Sequence, residues 1–198
     1  MPYSFDEEEL KRSLSRLSLV RVSGFSASCS VRLAREAMRL RPSGLSSDVL
    51  AEAIEAIWRM LESDGNTDTA ALEERLLNAI AEEDEDGSFE GAVVEDACAA
   101  LVYAMRSTRE GDAKNAVWSA RRAYETTDRY ASAVLQETTY DADAEMRILN
   151  NEVVQLELRR QERDLSVIKS LDRGDVGVIA TLKAFSAVER ILDSGDVE

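Results

Sequence analysis

Residues 82–101, EEDEDGSFEGAVVEDACAAL, carry the signal that decides the fold class. The run EEDEDGS contains no apolar residue that could enter a core, which predicts a solvated loop. After it, apolar side chains recur at intervals of three and four, the repeat that places them on one face of an α-helix. The stretch therefore predicts a loop that leads into a buried helix ending near Arg109, and the apolar face consists of Phe89, Val93, Val94, Ala97, Cys98, Leu101 and Met105.

The same periodicity, bounded by capping residues and by Gly or Pro, continues along the chain. Besides the helix at 89–109, it predicts helices at about 5–20, 22–40, 47–61, 69–81, 112–138 and 143–171, and a last one after Asp175. Gly24 is a candidate interruption between the first two. We expect one all-α domain over residues 1–198, a compact multi-helix bundle of about seven to eight helices.

Composition supports this fold class. The chain has 198 residues, 44% of them hydrophobic, with only 2 prolines and 9 glycines. A domain near this length buries roughly 70% of the surface that its unfolded chain exposes, which is enough for one sizeable core. The scarcity of turn residues disfavours sheets, which need a turn about every ten residues.

Charge restricts the partners. Lys and Arg total 24 against 39 Asp and Glu, which gives a net charge of -15. Such a chain repels nucleic acid phosphate and anionic lipid and attracts basic proteins. The N-terminal stretch MPYSFDEEEL is polar and acidic, unlike an export signal. We therefore expect a cytoplasmic protein without nucleic acid or membrane contacts.

Histidine is absent from the chain. Its absence excludes the usual general base at neutral pH, the Ser-His and Cys-His nucleophile pairs and the Glu-x-x-His ligands of helical di-iron proteins. No Gly-rich phosphate loop of the GxGxxG or GxxxxGK[ST] type is present either. We expect a protein that is not an enzyme, with no catalytic residue and no cofactor.

The acidic run at 82–86 is the first candidate site. Carboxylates in this number could bind a divalent cation, but the run lacks the DxDxDG and terminal Glu pattern of a calcium loop. We therefore predict no metal, and we expect an exposed docking surface for a basic partner, formed by Glu82, Glu83, Asp84, Glu85 and Asp86.

Cysteine and tryptophan side chains could mark a reactive or ligand-binding site, but each has a structural explanation. Cys98 lies among alanines on an apolar helical face, where a small buried residue suits close packing. Neither Cys98 nor Cys29 has CxxC spacing, so a disulfide is not expected. Trp58 and Trp118 could line a cleft, although an indole at helical spacing is more often a core anchor.

The segment LELRRQERDLSVIK at 156–169 alternates cations and carboxylates. Two interpretations stay open: a salt-bridged solvent face of a long helix, or a polar network between helices that fixes a pocket or an oligomer. Asp96 poses the same question, because a carboxylate beside an apolar face is either solvated or paired with an arginine.

Four segments in this order resemble the YjaG-like bacterial domain-of-unknown-function family, number four-sixteen, over about residues 10–171. They are FSASCSVRLA at 25–34, AIEAIWRML at 53–61, EDACAAL at 95–101 and QERDLSVIKSL at 161–171. The chain departs from the family pattern in lacking a second cysteine near the first motif, and in a longer, more apolar tail after Leu171.

The resemblance implies a compact helical fold and provides no catalytic residue to carry over. It strengthens the case for a polar network, whose candidate members are Arg32, Asp96, Glu162, Arg163 and Asp164. Because Asp96 and Arg163 both lie in matching motifs, we expect these two side chains to pair.

Together these observations favour an acidic helical protein that acts through protein-protein interaction, as a regulatory partner or an immunity-type inhibitor of a basic toxin. The alternative is a small-molecule or metal-binding regulatory domain. A homodimer is also expected, because the long helix at 143–171 and the apolar last helix offer more hydrophobic surface than a small bundle covers. The apolar residues concerned are Val178, Ile179, Leu182, Phe185, Val188 and Ile191.

Overall fold

The computed structural model of the protein describes residues 2–41, 45–62, 68–83, 87–137, 141–170 and 174–192. Over these ranges the chain is helical and contains no strand, so the predicted all-α class is confirmed. The helices are α1 (Glu7–Leu14), α2 (Leu19–Leu40), α3 (Leu45–Glu62), α4 (Ala70–Glu83), α5 (Phe89–Glu110), α6 (Ala113–Leu135), α7 (Ala142–Leu149), α8 (Glu152–Lys169) and α9 (Asp175–Val188).

The described ranges contain nine helices, not seven to eight, because the long helix predicted at 143–171 is two helices. α7 ends at Leu149, and Asn151 caps α8 by accepting a hydrogen bond from the Val153 backbone N–H. An Asn side chain competes with the helical backbone for hydrogen bonds, which makes it a good N-cap. Asn150 and Asn151 therefore end one helix and begin the next, although the apolar repeat continues across them.

The central element of the bundle is α2, which packs against α3, α5, α6, α8 and α9. Residues 22–34 are all buried. A helix surrounded in this way cannot be amphipathic in the usual sense, and α2 instead uses small residues for close packing, including buried serines at Ser23, Ser26, Ser28 and Ser30. The main core lies around it, and α1 packs on the outside against α6.

Gly24 does not interrupt a helix but lies within α2, where α9 approaches most closely. A Cβ atom at this position would lie 2.6 Å from Cδ1 of Ile179 and 3.2 Å from Cδ1 of Leu182. Both atoms are the ends of side chains that can shift. The glycine therefore sets the spacing between α2 and α9.

We expect Gly24→Ala and Gly24→Leu to differ in stability by several kcal/mol. Alanine gains about 1 kcal/mol of helix propensity, which offsets the displacement of Ile179, so Gly24→Ala should change the free energy of unfolding by less than about 1 kcal/mol. Leucine adds three more carbons to a filled interface and should cost about 3 kcal/mol. Urea denaturation of both variants measures the difference, and equal midpoints would show that α9 is not packed on α2 at this residue.

Candidate functional site: a buried arginine–carboxylate network

Arg32 of α2 is a completely buried arginine, and two carboxylates of α8 surround it. Its Nη2 and Nε donate to Glu157 at 3.1 and 3.3 Å, and its Nη1 donates to Asp164 at 2.6 Å. All three side chains are 0% exposed. Burial alone would lower the pKa of Arg32, but Glu157 and Asp164 outweigh it and raise that pKa well above its ordinary value.

The carboxylates are placed by the helical repeat of α8. Glu157 and Asp164 are seven residues apart, or about two turns, so they project from one face toward α2. Ser28, one turn before Arg32, donates to Asp164 at 2.8 Å and accepts from Arg32 Nη1 at 2.9 Å. Gln161 donates to Glu157 at 2.9 Å. These hydrogen bonds compensate the desolvation of the buried ions.

A second arginine extends the network to the end of α9. Arg163 donates from Nη2 to Asp164 at 2.6 Å and from Nη2 to Glu189, the first residue after α9, at 3.0 Å. Its Nη1 also donates to Glu189. Its guanidinium lies over the Phe185 ring at 3.9 Å, which is a cation–π contact between α8 and α9. The side chains of Arg163 and Glu189 are 35% and 16% exposed, so the network reaches the surface here.

Asp96 belongs to a separate cluster, so its predicted pairing with Arg163 is wrong. The carboxylate is buried on α5 and accepts from Arg129 Nη1 at 2.8 Å, Thr126 Oγ1 at 2.8 Å and Arg122 Nη1 at 3.3 Å, all of α6. An arginine partner was expected on physical grounds, and that part of the prediction is correct. The motif likeness pointed to the wrong helix, because α5 packs directly against α6.

The structure therefore brings together three of the five network candidates, Arg32, Arg163 and Asp164. Glu162 is exposed on the opposite face of α8. Segment 156–169, for which a polar network between helices was one open interpretation, also contains Glu157, Arg160 and Gln161, but these were not among the five candidates. Ser28 and Glu189 were not named as members of a network. The spacing of Glu157 and Asp164 on one helical face was a usable signal, whereas nothing in the sequence connects Glu189 to α8.

The side chains of the acidic docking candidates lie outside the described part of the structure. Glu82 and Glu83 belong to the backbone of α4, which extends two residues beyond its predicted end, but their side chains are not described. Asp84, Glu85 and Asp86 are likewise outside the described residues. On the far side, Ser88 caps α5 by accepting from the Gly91 backbone N–H at 3.0 Å, so the helix begins at Phe89 as predicted.

Both cysteines are buried thiols in the core. Cys98 lies on the buried face of α5, as the apolar pattern of this helix predicted. Cys29 lies one turn from Arg32, whose Nη2 is 3.8 Å from the sulfur. Burial raises the pKa of Cys29, and Glu157 and Asp164 raise it further, although Arg32 lowers it. A thiol with a raised pKa and no exposure is a poor nucleophile, which fits a structural role.

The two tryptophans differ in how deeply they are buried. Trp58 is buried in the core as expected. Trp118 is only half-buried, which corrects its interpretation as a core anchor: its ring lies 5.2 Å from that of Tyr103, and Lys114 lies over its face at 4.3 Å. Trp118 and Tyr103 line a surface cavity of about 310 Å³ together with Arg121, Arg122 and Glu125.

The surface expected to form a homodimer is mostly used within the chain. Val178, Ile179, Leu182 and Ile191 are buried in the core, and Phe185 is half-buried. Among the apolar residues of α9 named for the dimer, only Val188 is largely exposed, at 78%. The homodimer stays a prediction, but the apolar surface first assigned to it packs against the rest of the bundle.

Two kinds of feature are absent from the described part of the chain. No group of three or more acidic or cysteine residues there is arranged to hold a metal ion. No helix within the described ranges combines the length and apolar character that a membrane crossing requires.

Comparisons with known proteins give a family and a fold. The model of the family described as "Protein of unknown function (DUF416)" matches residues 42–191. The crystal structure of a DUF416 family protein from Shewanella baltica OS155 superposes with a TM-score of 0.77 and 17% sequence identity, covering 89% of this chain and 92% of that chain. At this identity the likeness shows the fold alone. No match was found among curated proteins.

The matched range differs from the one expected at 10–171. It extends through α9 to residue 191 and does not include the first motif at 25–34, so Arg32 lies outside the match while its partners on α8 lie inside it. The YjaG-like designation stays a prediction. Since the family model covers well over half of the sequence, the chain belongs to the DUF416 family of proteins of unknown function.

Proposed function

We propose that this chain is a non-catalytic protein that binds a basic protein partner, with α3 and α4 as its docking surface. The observation that carries the proposal is the placement of charge. Residues 45–86 contain thirteen Asp and Glu against two Arg, which gives this segment a net charge of -11 out of the -15 of the whole chain. The candidate run at 82–86 lies at its C-terminal end.

The acidic side chains of α3 form a stripe. Asp48, Glu52, Glu55 and Glu62 are all exposed, and their spacing of four, three and seven residues places them along one face, with Arg59 between the last two. From Asp48 to Glu62 the stripe is about 21 Å long. A surface of this length suits the side of a basic protein better than a single small cation.

The hairpin that carries the stripe is fixed to the body of the protein. Glu73 of α4 is buried and forms ion pairs with Arg106 and Arg109 of α5. The apolar faces of α3 and α4 enter the main core. A surface held in this way loses little conformational entropy when a partner binds.

An immunity-type inhibitor of a basic toxin would be one protein of this kind, and a regulatory partner would be another. In both cases the stripe acts mainly on the rate of association, because long-range attraction raises the local concentration of a cationic partner and weakens as salt is added.

Neutralising exposed acidic residues of α3 and α4 is expected to weaken partner capture without harming the fold. The variant Glu52→Gln, Glu55→Gln, Glu62→Gln, Glu74→Gln removes four exposed charges from the docking surface. We expect the association rate to fall about tenfold or more, because electrostatic steering supplies factors of roughly 10 to 1000. The measurement is affinity capture from the source cell with wild type and variant, followed by association kinetics of the purified partner at several salt concentrations.

A matched control carries the same change of charge on another surface. Glu8→Gln, Glu9→Gln, Asp143→Asn, Glu145→Gln neutralises four exposed acidic residues of α1 and α7. This control should retain the partner and most of the rate. Equal loss in both variants would mean that only total charge matters, and binding that is insensitive to salt would contradict the proposal.

A further inference from the structure

The carboxylate of Glu189 occupies a slot where three arginines converge. Arg163 binds it through both Nη atoms, and Arg32 Nη1 lies 3.8 Å from Glu189 Oε2. Arg160 interacts electrostatically with the same carboxylate. Glu189 itself follows the last turn of α9 in extended conformation, with φ -81° and ψ 141°.

Arg160 gives an independent indication that this arginine cluster lacks an acceptor. The residue is 9% exposed, and its Nη1 has no hydrogen-bond partner among the described residues. Burial lowers the pKa of Arg160, while Glu157 and Glu189 oppose that shift. A buried guanidinium N–H without an acceptor is unusual, because leaving it unpaired costs free energy.

The charges around the slot balance only while Glu189 is in place. Arg32, Arg160 and Arg163 supply three positive charges, and Glu157 and Asp164 supply two negative ones. A single further negative charge therefore neutralises the cluster. Glu189 supplies it from the chain itself, and a free carboxylate could supply the same charge with the same acceptor geometry.

We propose that Arg32, Arg160 and Arg163 form a binding site for a small monocarboxylate, which Glu189 occupies from within the chain. Rotation of the Glu189 side chain is enough to vacate the slot, since Ile191, two residues later, stays anchored in the core. The Phe185 ring beside Arg163 offers apolar contact for the carbon skeleton of the ligand. This inference is independent of the docking surface on α3 and α4.

Rescue by acetate tests the site. Glu189→Ala removes one CH₂COO⁻ group, which is close to acetate in size and charge. In the full-length variant, 100 mM sodium acetate should raise the melting temperature by about 3 °C over sodium chloride of equal ionic strength, as expected for a ligand about tenfold above its Kd. The apparent Kd for acetate should be at least tenfold higher in the wild type than in the variant, because Glu189 competes for the slot.

Three controls keep the result interpretable. Glu189→Gln fills the slot and should show no acetate response. Glu189→Ala with Arg160→Met should lose it. Glu62→Ala removes the same CH₂COO⁻ group from the exposed ion pair with Lys183, and its melting temperature should not respond to acetate. If Glu189→Ala does not fold, Glu189→Ser opens the same slot. Equal melting temperatures in acetate and chloride would overturn the proposal, as would an undiminished response without Arg160.

Discussion

Replacement of Arg32 by methionine is expected to lower the free energy of unfolding by about 3 to 5 kcal/mol, because it leaves Glu157 and Asp164 buried without their common cation. Methionine fills much of the space of the arginine stem, so the loss reports the unpaired charges more than a cavity. The net stability of a domain is only about 5 to 15 kcal/mol, so the variant should lose a large share of it. Urea denaturation followed by circular dichroism gives the value.

A variant that also lacks the two buried anions separates the cost of unpaired charges from the cost of lost packing. Arg32→Met combined with Glu157→Gln and Asp164→Asn removes the cation and both buried anions, and it should be more stable than Arg32→Met alone. Arg75→Met serves as the exposed control, since the Arg75 and Glu52 side chains are 45% and 55% exposed and such a pair contributes well under about 1 kcal/mol. If Arg32→Met and Arg75→Met have the same unfolding midpoint, the network has no structural importance.

Both thiols are expected to react at least about a thousandfold more slowly in the folded protein than in the unfolded chain. Cys29 and Cys98 are 0% exposed, so a thiol reagent must wait for an opening whose population is set by the stability. Burial also raises the pKa of Cys29 and reduces its thiolate fraction. The measurement is the rate of modification by a chromogenic disulfide, with and without urea.

Single replacements assign the rates to each cysteine. Cys29→Ala reports Cys98, and Cys98→Ala reports Cys29. In the Arg32→Met background the protection of both should fall by a factor of roughly 100 to 4000, because each 1.4 kcal/mol of lost stability raises the open fraction tenfold. A folded wild-type protein in which Cys98 reacts as fast as a free cysteine would reopen residues 82–101 as a reactive site.

The fold was largely predictable because local signals decide helices. Apolar spacing and capping residues are properties of short segments, and they placed the start of α5 at Phe89. The break between α7 and α8 was missed because the apolar repeat continues past Asn150 and Asn151. Their capping signal pointed to a break, but the repeat pointed to one long helix. Two competing local signals leave the outcome to tertiary packing, which the sequence alone does not display.

The candidate site was predictable only in part, since its members come from distant segments. Arg32 and Asp164 are 132 residues apart in the chain, and Arg163 and Glu189 are 26 apart. The sequence indicated that buried charges need partners, as for Asp96, but several arginines could satisfy that need. Which one does so depends on which helices are neighbours, and α6, which carries Arg122 and Arg129, packs directly against α5.

The central position of α2 has a consequence for synthesis on the ribosome. The helix that lies at the middle of the bundle is translated before the helices that it packs against, and the partners of Arg32 follow it by 125 and 132 residues. At 5 to 20 residues per second the ribosome needs roughly 6 to 26 s to supply them. During that interval the nascent chain carries a helix whose residues 22–34 lack the neighbours that bury them, together with an uncompensated arginine, and we expect a chaperone to bind it.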